Sequence, residues 1–534
     1  MKIIVKLTRL KLVGVTLVCA MGLLEFASTP STATAQNIPR PNGMDLPDDA
    51  PITTQHQISI GNRALRYTAR VGFLSLRDDF RETKARIFYV AYTLDGENDS
   101  SPRPLTFAWN GGPGSPASTL HLGVMGPRRA KTMDEYETGP PPYELVDNRN
   151  TWLAFTDLVL IDPVGTGYSY ATKPEYREDF WNTSGDIDSI GEFIRLYLAH
   201  YEAGDAPLFI AGESYGVLRA AGVAKILTDR RIALSGVILI SGGNLSGRGR
   251  GPGGADLASV LVLPSFTASA FFHKKLPRDL QSDLQATLRE VEAWAETDYA
   301  AALMKGDRLE ADERKAVSAQ LARYTGLDPQ FVAGTNLRIS VDQFARQLLL
   351  AQNLELGHYG THLTRKIANP GGSYDLWKDP SLFSNGTSGL IVPYLRSELG
   401  FFVDARYAGP WGGGWPSPKS PRADWTGVMW NRGSANANRN MNMDLANAMR
   451  RNPTLRVFVA HGYFDLVTPY FAGVYAVSHM GLDPALRRNV VFANYAGGHS
   501  MYTEKPVLNQ MFLDVAEFIK NTTPAKKPTP SVQQ

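Results

Sequence analysis

One cysteine, Cys19, is all that the 534 residues contain. No intramolecular disulfide can therefore form, and a thiolate metal cage is excluded with it. Metal chemistry of other kinds finds no foothold either: the nine histidines are scattered and no His-Glu-x-x-His occurs, so neither a metal nor another cofactor is expected. Charge of one sign is also lacking, with 55 Lys and Arg against 52 Asp and Glu. Without a sustained basic surface the chain has no footprint for nucleic acid. The longest apolar run, Leu12 to Leu24, falls short of the ~20 residues that span a bilayer, so no stable membrane anchor is expected.

That short run has another reading. Lys2, Lys6, Arg9 and Lys11 precede it and Ala33-Thr34-Ala35 comes after it, which is the pattern of an export signal over residues 1–35 cleaved to leave a chain starting near Gln36. The expected location is therefore secreted or periplasmic. Removal of the signal takes away Cys19 and leaves 51 basic and 51 acidic residues, a nearly neutral chain with no thiol. Export without cysteines fits a bacterial envelope better than an oxidising eukaryotic compartment.

Residues 36–54, rich in Pro, Asn and Asp, read as a flexible lead-in, and the polar tail 522–534 as disordered. From about 55 to 110 the apolar residues alternate, as in Ile58-Ser59-Ile60, and predict antiparallel strands. Short, wholly apolar runs come next at Leu105–Trp109, Leu158–Ile161, Leu208–Ala211, Val237–Ile240, Val457–Ala460 and Val490–Ala493. Such runs suit strands buried on both faces of a parallel sheet. Residues 184–201 carry a helical spacing, and 278–350 are charged and helix-rich. The sheet pattern lapses across 248–450 and resumes at Arg456. The expected plan is an α/β domain in two parts, 55–247 and 451–521, with residues 248–450 inserted, most simply as a cap; a separate helical domain with no catalytic part is the alternative for the insertion.

Gly212-Glu213-Ser214-Tyr215-Gly216 sits between an apolar run and a helical pattern over Val217–Leu227. Strand, Gly-x-Ser-x-Gly and helix together form the nucleophile elbow of the α/β-hydrolase fold. The turn strains the serine backbone, the small flanking residues avoid collision, and the helix N-terminus favours developing negative charge. Ser214 is the candidate nucleophile. In this fold the acid and then the base come after the serine. Asp465 lies just past one apolar run and His499 in a glycine turn past the next, both at the ends of parallel strands where α/β sheets place ligands. His461 stands too close to Asp465 to be the base. Leu105–Gly114 leaves a strand into a glycine-rich turn about 100 residues before the elbow, the place of a second oxyanion loop.

Trp109-Asn110-Gly111-Gly112-Pro113-Gly114, Asp162-Pro163-Val164-Gly165-Thr166-Gly167-Tyr168-Ser169, Gly212-Glu213-Ser214-Tyr215-Gly216 and Gly498-His499 resemble, in order, the four signature blocks of the serine carboxypeptidase family, peptidase family S10. The resemblance implies that Ser214 attacks the scissile carbonyl, His499 shuttles the proton and Asp465 orients His499. It implies that the amides of Gly112 and Tyr215 form the oxyanion hole. It also implies that Asn110 and Glu213 bind the terminal carboxylate of a peptide substrate, with Trp109 beside it and Met501 standing in for a methionine next to the family's histidine. Three departures stand out. Ser115-Pro116-Ala117 replaces a Cys-Ser-Ser block, Val217 breaks a glycine pair, and Val124 occupies the position of a second glutamate, with Arg128 and Arg129 the nearest cations in sequence. The expected activity is release of C-terminal residues. Esterase, amidase or acyltransferase chemistry on the same triad is the alternative, and a noncatalytic binding protein the alternative of another class.

Overall fold

The computed structural model describes residues 50–523 apart from 62, 97–101, 132–141, 243–254, 370–371, 376–377, 383–385 and 410–440. The expected export signal, most of the expected lead-in and residues 524–534 of the expected tail lie outside the described residues.

Nine strands form the body of one sheet: β1 Ile52–Ile60, β2 Arg63–Arg77, β3 Thr83–Leu94, β4 Leu105–Trp109, β5 Asp157–Ile161, β6 Leu208–Glu213, β7 Gly236–Ile240, β8 Arg456–Gly462 and β9 Val490–Tyr495. They run in the order β1-β2-β3-β5-β4-β6-β7-β8-β9, and the short strand Tyr170–Ala171 pairs with β3. β1 to β3 are antiparallel, as is the join of β3 to β5, and every later pairing is parallel. Each wholly apolar run of the sequence lies in one of the parallel strands, and β4, β6 and β7 are buried along their full length.

Alternation explains why both faces must be covered. Phe107 and Trp109 point into one apolar cluster and Ala108 into another; Leu208 and Ile210 face the first while Phe209 and Ala211 face the second. Helices α1 Thr183–His200, α2 Tyr215–Asp229 and, late in the chain, Met441–Arg451 close the first face. Residues of Thr387–Ser397 and of Lys505–Thr522 close the second. This is the α/β-hydrolase fold, a mainly parallel sheet between helical layers.

The chain leaves the sheet after β7 for α3 Ala255–Phe272, α4 Leu284–Trp294, α5 Ala311–Thr325 and α6 Val341–Gln347, whose apolar residues form their own cluster through Val260, Leu321 and Leu356. The span 248–450 is not uniform, however. Leu390, Ile391, Tyr394 and Leu395 belong to one sheet cluster, and Leu445, Ala446 and Met449 to the other. Within the insertion the helical cluster thus draws its buried residues from positions up to about 356, with Leu466 joining it from the loop after β8, and later segments of the insertion pack back onto the sheet.

Candidate active site

β6 ends at Glu213 and α2 begins at Tyr215, so a single residue turns the chain. Ser214 does so at φ +56° and ψ −126°, a left-handed conformation that a side chain rarely adopts. The turn is held from both sides. The Ser214 N–H donates to the Ile240 carbonyl at 2.9 Å, and a β-carbon at Gly212 would strike the Gly216 carbonyl. The glycines flanking the serine are thus a packing requirement. The serine sits at the N-terminus of a 15-residue helix, whose partial positive charge faces the same point.

Asp465 and His499 arrive from the ends of adjacent parallel strands β8 and β9. His499 Nδ1 lies 2.6 Å from Asp465 Oδ2. Asp465 is fully buried, and its Oδ1 accepts the N–H groups of Val467 (2.8 Å) and Thr468 (2.9 Å) while Oδ2 accepts the Thr468 hydroxyl (2.5 Å). Burial works to raise the carboxyl, but the His499 charge and these donors outweigh it and hold Asp465 below the usual range. With Asp465 as acceptor, the Nδ1 proton is fixed and Nε2 is left for the nucleophile. Nε2 lies 3.5 Å from Glu213 Oε1. Burial lowers the imidazole, the Asp465 and Glu213 charges raise it, and the balance stands at about 9.

The oxyanion loop abuts the elbow: a β-carbon at Gly111 would lie 2.5 Å from the Tyr215 nitrogen. Gly112 comes next, at φ +106°. The Asn110 side chain is buried, donates from Nδ2 to Glu213 Oε2 at 2.9 Å and accepts the Leu120 N–H at 3.0 Å. Asn110, Glu213, His499 and Asp465 therefore form one connected set, joined to Ser214 through its chain neighbour Glu213.

Two expected substrate contacts are placed otherwise. The Trp109 indole is fully buried and donates to the Gly216 carbonyl at 3.0 Å, so it braces the elbow from below and presents no face to a substrate. Met501 is likewise fully buried in the sheet cluster. Both sit where a parallel strand or its succeeding turn points inward, an orientation that their order in the chain does not reveal. Val124 lies in the turn His121–Met125 with no exposure. Arg128 is committed to Asp147 and Glu398, so it is not a spare cation for a substrate, and Arg129 donates to the Ala130 carbonyl at 3.3 Å. His461 is buried, with Nε2 3.1 Å from the Gly242 carbonyl. Among the described residues, no group of three or more His, Cys, Asp or Glu could hold a metal.

Several contributors were not expected. Arg219, fully buried on α2, makes a two-pronged ion pair with Asp186 (3.0 Å each from Nε and Nη2 to Oδ2) and donates from Nη1 to the Asn110 carbonyl at 2.8 Å. It ties both helices to the oxyanion loop. A charge just past a Gly-x-Ser-x-Gly offered a weak signal at best, because Asp186 comes from another helix. The turn Gly357–Leu363, in the inserted region, is wedged between the acid and base loops. Tyr359 accepts the His499 N–H at 2.5 Å through its carbonyl and sets its ring edge-on to the imidazole, with centroids 5.2 Å apart; the His358 carbonyl accepts the Leu466 N–H at 3.0 Å. Glu504 accepts the Gly498 N–H at 3.2 Å and lies 3.3 Å from His362 Nε2.

Comparison with known proteins agrees with this geometry. The model of the serine carboxypeptidase family matches residues 62–244. Serine carboxypeptidase-like 5 of Arabidopsis thaliana is 30% identical over 166 residues, which cover 30% of this chain and 36% of the plant protein. Pheromone-processing carboxypeptidase kex1 of Aspergillus niger is 34% identical over 142 residues, covering 26% of this chain and 21% of the fungal one. The chain thus spans about a third or less of the length of these relatives. In structure, the prohormone-processing carboxypeptidase Kex1ΔP of Saccharomyces cerevisiae aligns with a TM-score of 0.50 and 15% identity over 84% of this chain and 91% of its own, a likeness of fold. The family model thus covers Gly112 and the Gly212–Gly216 turn together, and over residues 62–244 the chain is similar to the serine carboxypeptidase family.

Proposed function

We propose that the chain is a serine carboxypeptidase that releases C-terminal residues from peptides through an acyl-enzyme on Ser214. The observation that carries this reading is a connected set, an acid-oriented histidine with a buried amide–carboxyl pair within reach of its imidazole, next in the chain to a left-handed serine. His499 Nε2 takes the Ser214 proton as the hydroxyl attacks the scissile carbonyl, and the amides of Gly112 and Tyr215 receive the oxyanion. The same imidazolium then gives its proton to the leaving amine, and water repeats the sequence on the ester. Asn110 and Glu213 would bind the terminal carboxylate. That role requires a hydrogen on Glu213 or a donor beside it, since two bare carboxylates repel. Residues 1–35 direct export and are removed, which puts the mature enzyme outside the cytoplasm; among the described residues no helix is long and apolar enough to cross a membrane.

Esterase or amidase action on the same triad is the second reading. Val124, buried and apolar, favours it because it supplies no carboxyl at the position where the resemblance places a second glutamate. Hydrolysis of a free-acid peptide and of its C-terminal amide separates the two. A carboxypeptidase prefers the acid, whereas equal rates support the second reading.

A further inference from the structure

Asp379 lies in the inserted region and takes no part in the chemistry above, yet it is fully buried. A carboxylate in such a place is unfavourable unless donors surround it. Here they do. Oδ2 accepts the His358 N–H at 2.6 Å and lies 2.9 Å from the Tyr374 hydroxyl, while Oδ1 accepts the Ser381 N–H at 2.9 Å and the Ser381 hydroxyl. Tyr374 also stacks its ring on the His358 imidazole, with centroids 3.8 Å apart. The packing is close: a β-carbon at Gly357 would lie 3.0 Å from Asp379 Oδ1.

The backbone that this carboxylate grips is the turn Gly357–Leu363. The same turn is bonded on both sides of the triad acid, since the Thr361 N–H donates to the Phe464 carbonyl at 3.0 Å and the His358 carbonyl accepts the Leu466 N–H at 3.0 Å. One residue further on, the Tyr359 carbonyl accepts the His499 N–H. A β-carbon at Gly498 would lie 2.5 Å from that carbonyl oxygen, so the base loop and the turn meet backbone to backbone. His358 alone thus joins Asp379, through its N–H, to the acid loop, through its carbonyl.

We propose that Asp379 is a positioning residue for the triad, a buried anchor that sets the approach of Asp465 to His499 through the turn Gly357–Leu363. The inference rests on the proposed triad and is the same for a peptide or an ester substrate. Hydrogen bonds to an ionised acceptor are shorter and stronger than neutral ones, so a carboxylate holds the turn more firmly than an amide in its place. The imidazole is faced by Asp465 and the Thr468 hydroxyl (3.1 Å) at Nδ1, by Glu213 at Nε2 and by the Tyr359 ring edge-on. A slackened turn lets Asp465 draw away from Nδ1, which weakens the hold on the tautomer and removes part of the charge that raises His499.

The test measures kcat and KM for a neutral activated ester against pH, in the full chain and in Asp379→Asn, which keeps the shape and one accepting oxygen but loses the charge. Rates are expressed per Ser214 site titrated by a fluorophosphonate, so that unfolded protein does not count. The expected result is a fall in plateau kcat of about tenfold with KM changed by less than about twofold, and an acid limb of kcat/KM moved to lower pH. A merely structural aspartate would reduce the number of titratable sites and leave the limb in place. Full kcat, a rise in KM alone, or a fall in kcat with an unmoved limb overturns the proposal. If Asp379→Asn does not fold, Tyr374→Phe, which keeps the ring on His358 and removes one hydroxyl from the same carboxylate, is judged by the same outcomes. If Ser214→Ala retains the wild-type ester rate, the triad reading itself fails and takes the Asp379 proposal with it.

Discussion

At the scale of single residues, His499 is the pivot, and its environment sets a measurable pH dependence. Burial lowers its pKa, but Asp465 and then Glu213 raise it to about 9. A base must be unprotonated to accept the Ser214 proton, so acylation rises with pH across this group. Glu213→Gln removes one of the two anions and should move the acid limb of acylation by a neutral activated ester to lower pH. A limb that stays put would show that the 3.5 Å approach of Glu213 to Nε2 has no electrostatic weight. The same raised pKa bears on stability. A histidine above its ordinary 6.5 in the fold contributes stability that is complete below 6.5 and is lost as pH rises through about 9.

Ser214→Ala should lower turnover by about 10⁶-fold, and Asp465→Asn by about 10⁴-fold through the wrong His499 tautomer. Steady-state rates on an activated ester and the site of fluorophosphonate labelling check both; activity that survives Ser214→Ala would move the nucleophile elsewhere. These residues were legible in the sequence because each lies on or just past a strand end in a fixed chain order. Trp109 and Met501 were legible as neighbours of the site but not in their orientation. Strand and turn geometry turned both inward, Trp109 onto the Gly216 carbonyl and Met501 into the core.

Among the elements, the parallel strands announced themselves by runs with no polar break, since both faces of the sheet are covered. The limits of the insertion did not, because helices on the sheet and helices away from it share the same 3.6-residue rhythm. Residues 387–399 and 445–449 return to the sheet clusters, which only long-range packing decides. Arg219 was illegible for a similar reason, its partners lying on α1 and in the oxyanion loop. Breaking that buried pair by Arg219→Ala should cost about 3–5 kcal/mol, because it strands the Asp186 charge. Urea unfolding would measure it, and a loss under about 1 kcal/mol would contradict the tie.

The clasp from the inserted region to the base loop carries its own titration. Burial raises the Glu504 carboxyl to about 8, against an ordinary 4.5, and lowers His362 to about 4. The folded chain therefore holds a proton on Glu504 that the unfolded chain gives up, and this group's contribution to stability declines as pH rises from 4.5 through about 8. Glu504→Gln keeps an acceptor for the Gly498 N–H and removes the titration. The variant should lose less stability than the wild type between about pH 5 and about pH 8, read from urea midpoints; parallel slopes would show that Glu504 ionises normally.

For the molecule as a whole, the sheet runs β6, β8 and β9 parallel, so Ser214, Asp465 and His499, far apart in the chain, all follow the same end of their strands, and the inserted turn Gly357–Leu363 bonds the loops of the last two. The proposal that residues 1–35 direct export makes a separate prediction: the mature protein should begin near Gln36 by intact mass, and a mature chain that keeps Met1 would contradict export with cleavage.

The central claim is that the site removes residues from a free C-terminus. Its most direct test is a time course of peptide digestion read by mass spectrometry, using a peptide with a free carboxylate, its C-terminal amide and the Ser214→Ala variant as control. Stepwise loss of single residues from the free-acid peptide is the predicted result, with the amide spared and the variant inert. Internal cleavage, equal attack on the amide, or an intact peptide alongside rapid ester hydrolysis would contradict it.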